Sequence, residues 1–116
     1  MTEKQLKYLF DIQMALDEID LYLSEKGRDF NRFKADTMFR RAIERDLEIV
    51  GEAMNRLIKS SFEPQIENAK GIVALRNKVI HEYDAISPEN IWSIVINHLP
   101  KLKVEVNLLI KSNLTT

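Results

Sequence analysis

The chain has 116 residues, 45% of them hydrophobic and 30% charged, which fits one globular domain over 1–116 with a modest core. Seventeen Lys and Arg against eighteen Asp and Glu leave a net charge of −1, which argues against a protein that coats nucleic acid through bulk positive charge. Without cysteine, disulfides, thiol catalysis and Cys-based metal sites are excluded; with no apolar run near the roughly 20 residues of a membrane span, and no signal-peptide plan in MTEKQLKYLFDIQ, a cytoplasmic location is expected.

The first helix is predicted from about Glu3 to Lys26. Leu9, Ile12, Leu16, Ile19 and Leu23 recur at spacings of three and four and form one apolar stripe, with Tyr8, Ala15 and Tyr22 beside it. Gly27 is a stop signal. A polar connection carrying Phe30 and Phe33 is expected from Arg28 to Ala35. Charge is unevenly spread here. Residues 1–25 hold six acids against two lysines, whereas residues 26–45 hold seven basic residues against three acidic ones. Such a window reads either as a solvated face or as a strip that docks phosphates.

Asp36 can cap a second helix running to about Ser61, with Ile43, Leu47, Val50, Met54, Leu57 and Ile58 inward. Gly51 inside it costs about 1 kcal/mol relative to Ala, which a close helix–helix approach would explain. A third helix is predicted to start near Pro64 and end near Tyr83, with Ile66, Ile72, Val73, Leu75, Val79 and Ile80 as its apolar contacts. Ser87, Pro88 and Glu89 are a start signal for the last helix, expected to reach about Lys111. Its inward positions are Ile91, Val95, Leu99, Leu102, Val106 and Leu109. Pro100 should kink it by removing one backbone bond. Trp92 and His98 fall at core-side positions of this helix. Four long helices with short links and no alternating β pattern give an all-α, antiparallel four-helix bundle.

The stretch RNKVIHEYD (76–84) ends the third helix and carries one of two histidines. Asn77 and His81 are four apart and share a helical face, while Arg76 and His81 are five apart, about 140° around an ideal helix. Each residue alone has an ordinary structural role available: a surface ion pair for Arg76, a C-terminal cation for His81, a core edge for Tyr83. No second histidine or carboxylate stands at metal-ligand spacing around His81, and no serine stands in a nucleophile context. What remains is acid–base work by His81, with the fork of Arg76 stabilising an anion such as a phosphate. RNA cleavage without metal fits this chemistry: a 2′-hydroxyl attacks the adjacent phosphate while one group takes a proton and another gives one. A two-fold dimer would bring a second His81 and a second Arg76 into the same cleft.

These residues resemble the HEPN superfamily and, within it, the HepT-like toxins. RRAIERDLEIVGEAMNRL (40–57) is similar to the second-helix signature of that group, RNKVIHEYD (76–84) matches its motif, and IWSIVINHLPKL (91–102) resembles its last helix. The bare Arg-x4-His is common by chance; the combination at this distance is specific. Many relatives carry a tryptophan about two turns before the motif arginine, where this chain reads IENAKGIVAL.

The resemblance implies a helical bundle that dimerises and a metal-independent endoribonuclease site in a cleft at the dimer interface, with no cofactor. Arg76 and His81 match the catalytic pair and Asn77 the polar residue that accompanies them. It further implies a toxin–antitoxin pairing, which can extend to a higher assembly, with a minimal nucleotidyltransferase antitoxin that silences the toxin by attaching AMP to the motif tyrosine, here Tyr83. Bulk and negative charge added there would oppose RNA phosphates. The alternative is a catalytically idle helical module that binds the nucleotidyltransferase or a nucleotide; a plain dimerising bundle is the third reading. The intact Arg76–His81 pair separates the first from the other two.

Overall fold

A computed structural model describes residues 1–62, 66–81 and 87–114, with the side chains of 76–81 outside that description. Every element among the described residues is a helix: α1 (Glu3–Lys26), α2 (Phe30–Ala35), α3 (Thr37–Lys59), α4 (Ala69–His81), α5 (Pro88–Asn97) and α6 (Leu99–Leu114). None of them is long and apolar enough to cross a membrane.

The ends of α1 follow from local chemistry. Thr2 Oγ1 accepts the Gln5 N–H at 3.0 Å while Gln5 Oε1 accepts the Thr2 N–H at 2.9 Å, so two otherwise orphaned donors are satisfied reciprocally. At the other end Gly27 takes φ +87° and returns its N–H to the Leu23 carbonyl. Between them the predicted stripe Leu9, Ile12, Leu16, Ile19 and Leu23 is buried, joined by Ala15.

The connection after Gly27 is itself helical. Asp29 caps α2 by accepting the Asn31 N–H at 2.9 Å. Phe33, fully buried, meets Phe39 edge-on at 5.4 Å and lies 5.1 Å from the Trp92 ring, with Phe30 also against Trp92 at 6.2 Å. The two phenylalanines therefore staple α2 against α3 and α5, and their spacing of three is what gives this short helix an inner face.

Asp36 caps α3 as expected, accepting the Phe39 N–H at 3.0 Å. Ile43, Leu47, Val50, Met54 and Leu57 are buried along it; Gly51 is buried too. α3 packs along α1 on one side and α4 on the other, and α1 also packs along α6. The α1–α6 pair runs antiparallel: Gln13 Nε2 donates to Asn107 Oδ1 at 2.8 Å, and Lys103 bridges Asp17 at 2.8 Å and Asp20 at 2.5 Å.

The last helix is broken in two rather than kinked. His98 separates α5 from α6 with φ −115° and ψ −36°, and its N–H still reaches the Ile94 carbonyl at 2.9 Å. Pro100 has no N–H for the next carbonyl in that ladder, so the first helix ends and the second starts with proline in its opening turn, where the missing donor is harmless. The break moves His98 from the core side, where a continuous helix would put it, to an exposed position, while Leu99 and Leu102 beside it are buried. α4 also differs from expectation: it starts at Ala69, after a turn in which Asn68 takes φ +62°, and Pro64 lies outside the described residues.

Candidate functional site

Two anchors position α4, which carries most of the motif. Along its length it packs on α3. Before it, Ile66 is 7% exposed within the core, the Glu67 N–H donates to Glu105 Oε2 at 2.8 Å, and the Glu67 carboxylate pairs with Lys101. That ion pair holds the Glu67 carboxyl below the usual carboxylate range and pushes the Lys101 ammonium up. Both groups are exposed, so the pair orders the turn more than it stabilises the fold.

From that fixed start the backbone runs as one helix through Arg76, Asn77 and His81. Their side chains, together with Tyr83, lie outside the described residues. After the motif the chain restarts firmly. Ser87 Oγ accepts the Asn90 N–H at 3.1 Å, with Pro88 in the first turn of α5. Lys34 Nζ lies 3.3 Å from Glu89 Oε1, tying α2 to that same turn. The Glu89 carboxyl is held low, first by a backbone N–H and then by Lys34.

α4 and the α5–α6 elbow enclose a groove of about 680 Å³. Leu47 and Val50 of α3 form its floor, Ile72 and Leu75 one wall, and His98 and Lys101 part of the other. Leu75 immediately precedes Arg76, so the groove runs up to the start of the motif. The structure thus brings the second histidine to a solvent-facing wall, a position the helical period does not reveal. Among the described residues no group of three His, Asp or Glu is arranged to hold a metal ion.

A second polar cluster lies between α1 and α3, and composition alone does not expose it. Asp46 is 2% exposed and its Oδ2 has no hydrogen-bond partner among the described residues. Burial, then the charge of Glu18 and a bond to it, push the Asp46 carboxyl up to about 7. Tyr22 Oη donates to Glu18 Oε1 at 2.5 Å, and that bond with the surrounding carboxylates pushes the phenol up to about 12. The signal is present in the sequence: Asp46 sits three residues after Ile43 and four before Val50, on the apolar stripe of α3.

Comparison with known proteins agrees with these elements. The profile described as Ribonuclease HepT-like matches residues 12–109. The chain is 36% identical over 111 residues to the candidate RNase MJ1380 of Methanocaldococcus jannaschii, covering 93% of this chain and 99% of that one. It is 34% identical over 97 residues to the candidate RNase TTE0752 of Caldanaerobacter subterraneus, covering 82% and 87%. A Thermococcus cleftensis protein named as a candidate ribonuclease HepT shares 31% identity over 106 residues, 89% and 93% of the two chains. No solved structure gives a significant match. With a match that spans from the middle of α1 to α6 and includes the whole of RNKVIHEYD, the chain belongs to the HepT-like family of the HEPN superfamily.

Proposed function

We propose that this protein is a metal-independent endoribonuclease, the toxin of a toxin–antitoxin pair, built as one four-helix-bundle domain that works as a homodimer. The observation that carries the reading is the family match across 12–109 together with an unbroken helix through Arg76, Asn77 and His81. In the reaction the 2′-oxygen of one nucleotide bonds to the adjacent phosphorus and the bond from phosphorus to the 5′-oxygen breaks. One His81 takes the proton of the 2′-hydroxyl and the His81 of the second copy gives one to the leaving oxygen. Arg76 stabilises the charge that builds on the phosphoryl oxygens, and its fork suits two of them at once. Asn77 supports the pair. A nucleotidyltransferase partner silences the site by attaching AMP to Tyr83, adding bulk and negative charge beside a cleft meant for phosphates.

The test is RNA cleavage in EDTA by the wild-type protein beside His81→Ala, both checked by intact mass. Cleavage by the wild type alone supports the reading. Cleavage that needs a divalent ion refutes the metal-free mechanism. An idle protein of unmodified mass refutes the enzyme, whereas added mass in AMP units supports the silencing step.

A further inference from the structure

The basic window at the α2–α3 junction keeps its charge in the folded protein. Arg28, Arg32 and Arg41 are exposed and form no ion pair among the described residues. Arg40 donates through Nη1 to the Lys34 carbonyl at 2.5 Å, which fixes the guanidinium between the two helices and leaves its charge uncompensated. Of the nearby carboxylates, Asp36 is held low first by the Phe39 N–H and then by the charges of Lys26 and Arg32, with Arg32 beyond ion-pair contact. Asp29 and Asp36 accept the backbone N–H groups that start α2 and α3, and Glu89 takes Lys34. Lys26 approaches Asp36 only at 3.7 Å.

Burial of Phe33 and the contacts of Phe30 with Trp92 turn the aromatic side of α2 inward, so its outer side is left to Arg32 and Lys34. Met38, 84% exposed, adds an apolar spot in the first turn of α3. The Lys34–Glu89 pair places this face against the first turn of α5, just after the motif in the chain.

We infer that this face is a docking track for the RNA strand outside the cleavage site, with Arg28, Arg32 and Arg41 binding backbone phosphates. The inference rests on the ribonuclease reading. It follows from charge complementarity: a chain of net charge −1 holds three exposed arginines without an ion pair among the described residues between Arg28 and Arg41, and guanidinium forks match phosphate oxygens. Such contacts position a strand without reading its sequence.

The experiment uses a labelled single-stranded RNA with 2′-O-methyl groups, which cannot be cleaved by 2′-attack, and fluorescence anisotropy over a salt series. Arg28→Gln/Arg32→Gln/Arg41→Gln is compared with the wild type and with Lys4→Gln/Lys59→Gln/Lys70→Gln, which removes equal charge elsewhere. The arginine variant is expected to bind about tenfold more weakly at low salt, and its slope of log affinity against log salt to fall by about 2, near 0.7 for each phosphate no longer neutralised. On cleavable RNA its KM should rise about tenfold with kcat unchanged, while the lysine variant stays within about twofold. Unchanged binding by the arginine variant overturns the track but not the enzyme, as does equal weakening in the lysine variant. Displacement of the RNA by polyglutamate at a clearly lower charge concentration than unlabelled RNA requires overturns it too, by assigning the face to an acidic protein. Wild-type protein of unmodified mass that neither binds nor cleaves RNA overturns the ribonuclease reading and the track together.

Discussion

Asp46 of α3 is buried against Glu18 of α1 with one carboxyl oxygen unpartnered among the described residues. Burial and the neighbouring Glu18 raise its ionisation from 3.8 to about 7. The unfolded chain therefore loses this proton near pH 4 and the folded chain keeps it until about pH 7. Between these values folding takes up a proton, so stability falls as pH rises through the window and the full cost remains above it. Asp46→Asn keeps the shape and adds an N–H that Glu18 can accept. It should stabilise the protein by about 1–3 kcal/mol at pH 8 and by much less at pH 4. Urea titrations at the two pH values check this; equal changes at both would show that Asp46 ionises as an ordinary surface acid.

Phe33 is the middle ring of the Phe39–Phe33–Trp92 cluster and has no solvent exposure. Phe33→Ala should cost about 3–5 kcal/mol, the usual range for emptying an aromatic site in a core. The single tryptophan, Trp92, reports directly on this site. Its emission should shift to the red in the variant and stay unchanged when RNA is added to the wild type. A strong RNA-induced change would mean that the cluster opens to stack on bases.

Much of the fold can be read from periodicity and caps, and the departures have identifiable causes. The stripe of α1, the caps Asp36 and Ser87 and the stop at Gly27 are local signals, and they appear at the expected residues. α2 escapes a periodic reading because six residues are too few for a pattern, although Asp29 followed by Phe30 and Phe33 is a cap with an apolar pair behind it. His98 departs from its expected place because a helical period assumes one continuous helix, and the chain breaks at that residue. The motif RNKVIHEYD stands out in the sequence as a candidate site, and its side chains lie outside the described residues. The groove beside it does not stand out there, since it is formed by α3, α4 and the α5–α6 elbow, which meet only in the folded chain.

Gly27 ends α1 at φ +87° and ψ 157°, a region nearly closed to residues with a Cβ. A Cβ built there meets no atom within 4 Å. The cost of Gly27→Ala is therefore conformational alone, about 1–3 kcal/mol. Thermal denaturation should show the loss while helical circular dichroism of the folded state is retained. A neutral substitution would indicate that the α1–α2 turn readily adopts another conformation.

The proposed reaction needs two proton-transfer groups, and the motif supplies one histidine per chain. His98 is the remaining histidine, exposed on the wall of a groove that runs up to Leu75. If it served as the second group, a monomer would suffice. If the second copy supplies another His81, a dimer is required and His98 is dispensable. In the proposed reaction the second copy's His81 is that group. His81→Ala should lower cleavage by about 10²–10⁴-fold, the range for losing a general acid or base, and His98→Ala by less than about threefold. Light scattering should give a dimer at micromolar concentration, and activity per chain should fall on dilution below the dissociation constant. A fully active monomer with a crippled His98→Ala variant would reverse the assignment and place the whole reaction on one chain.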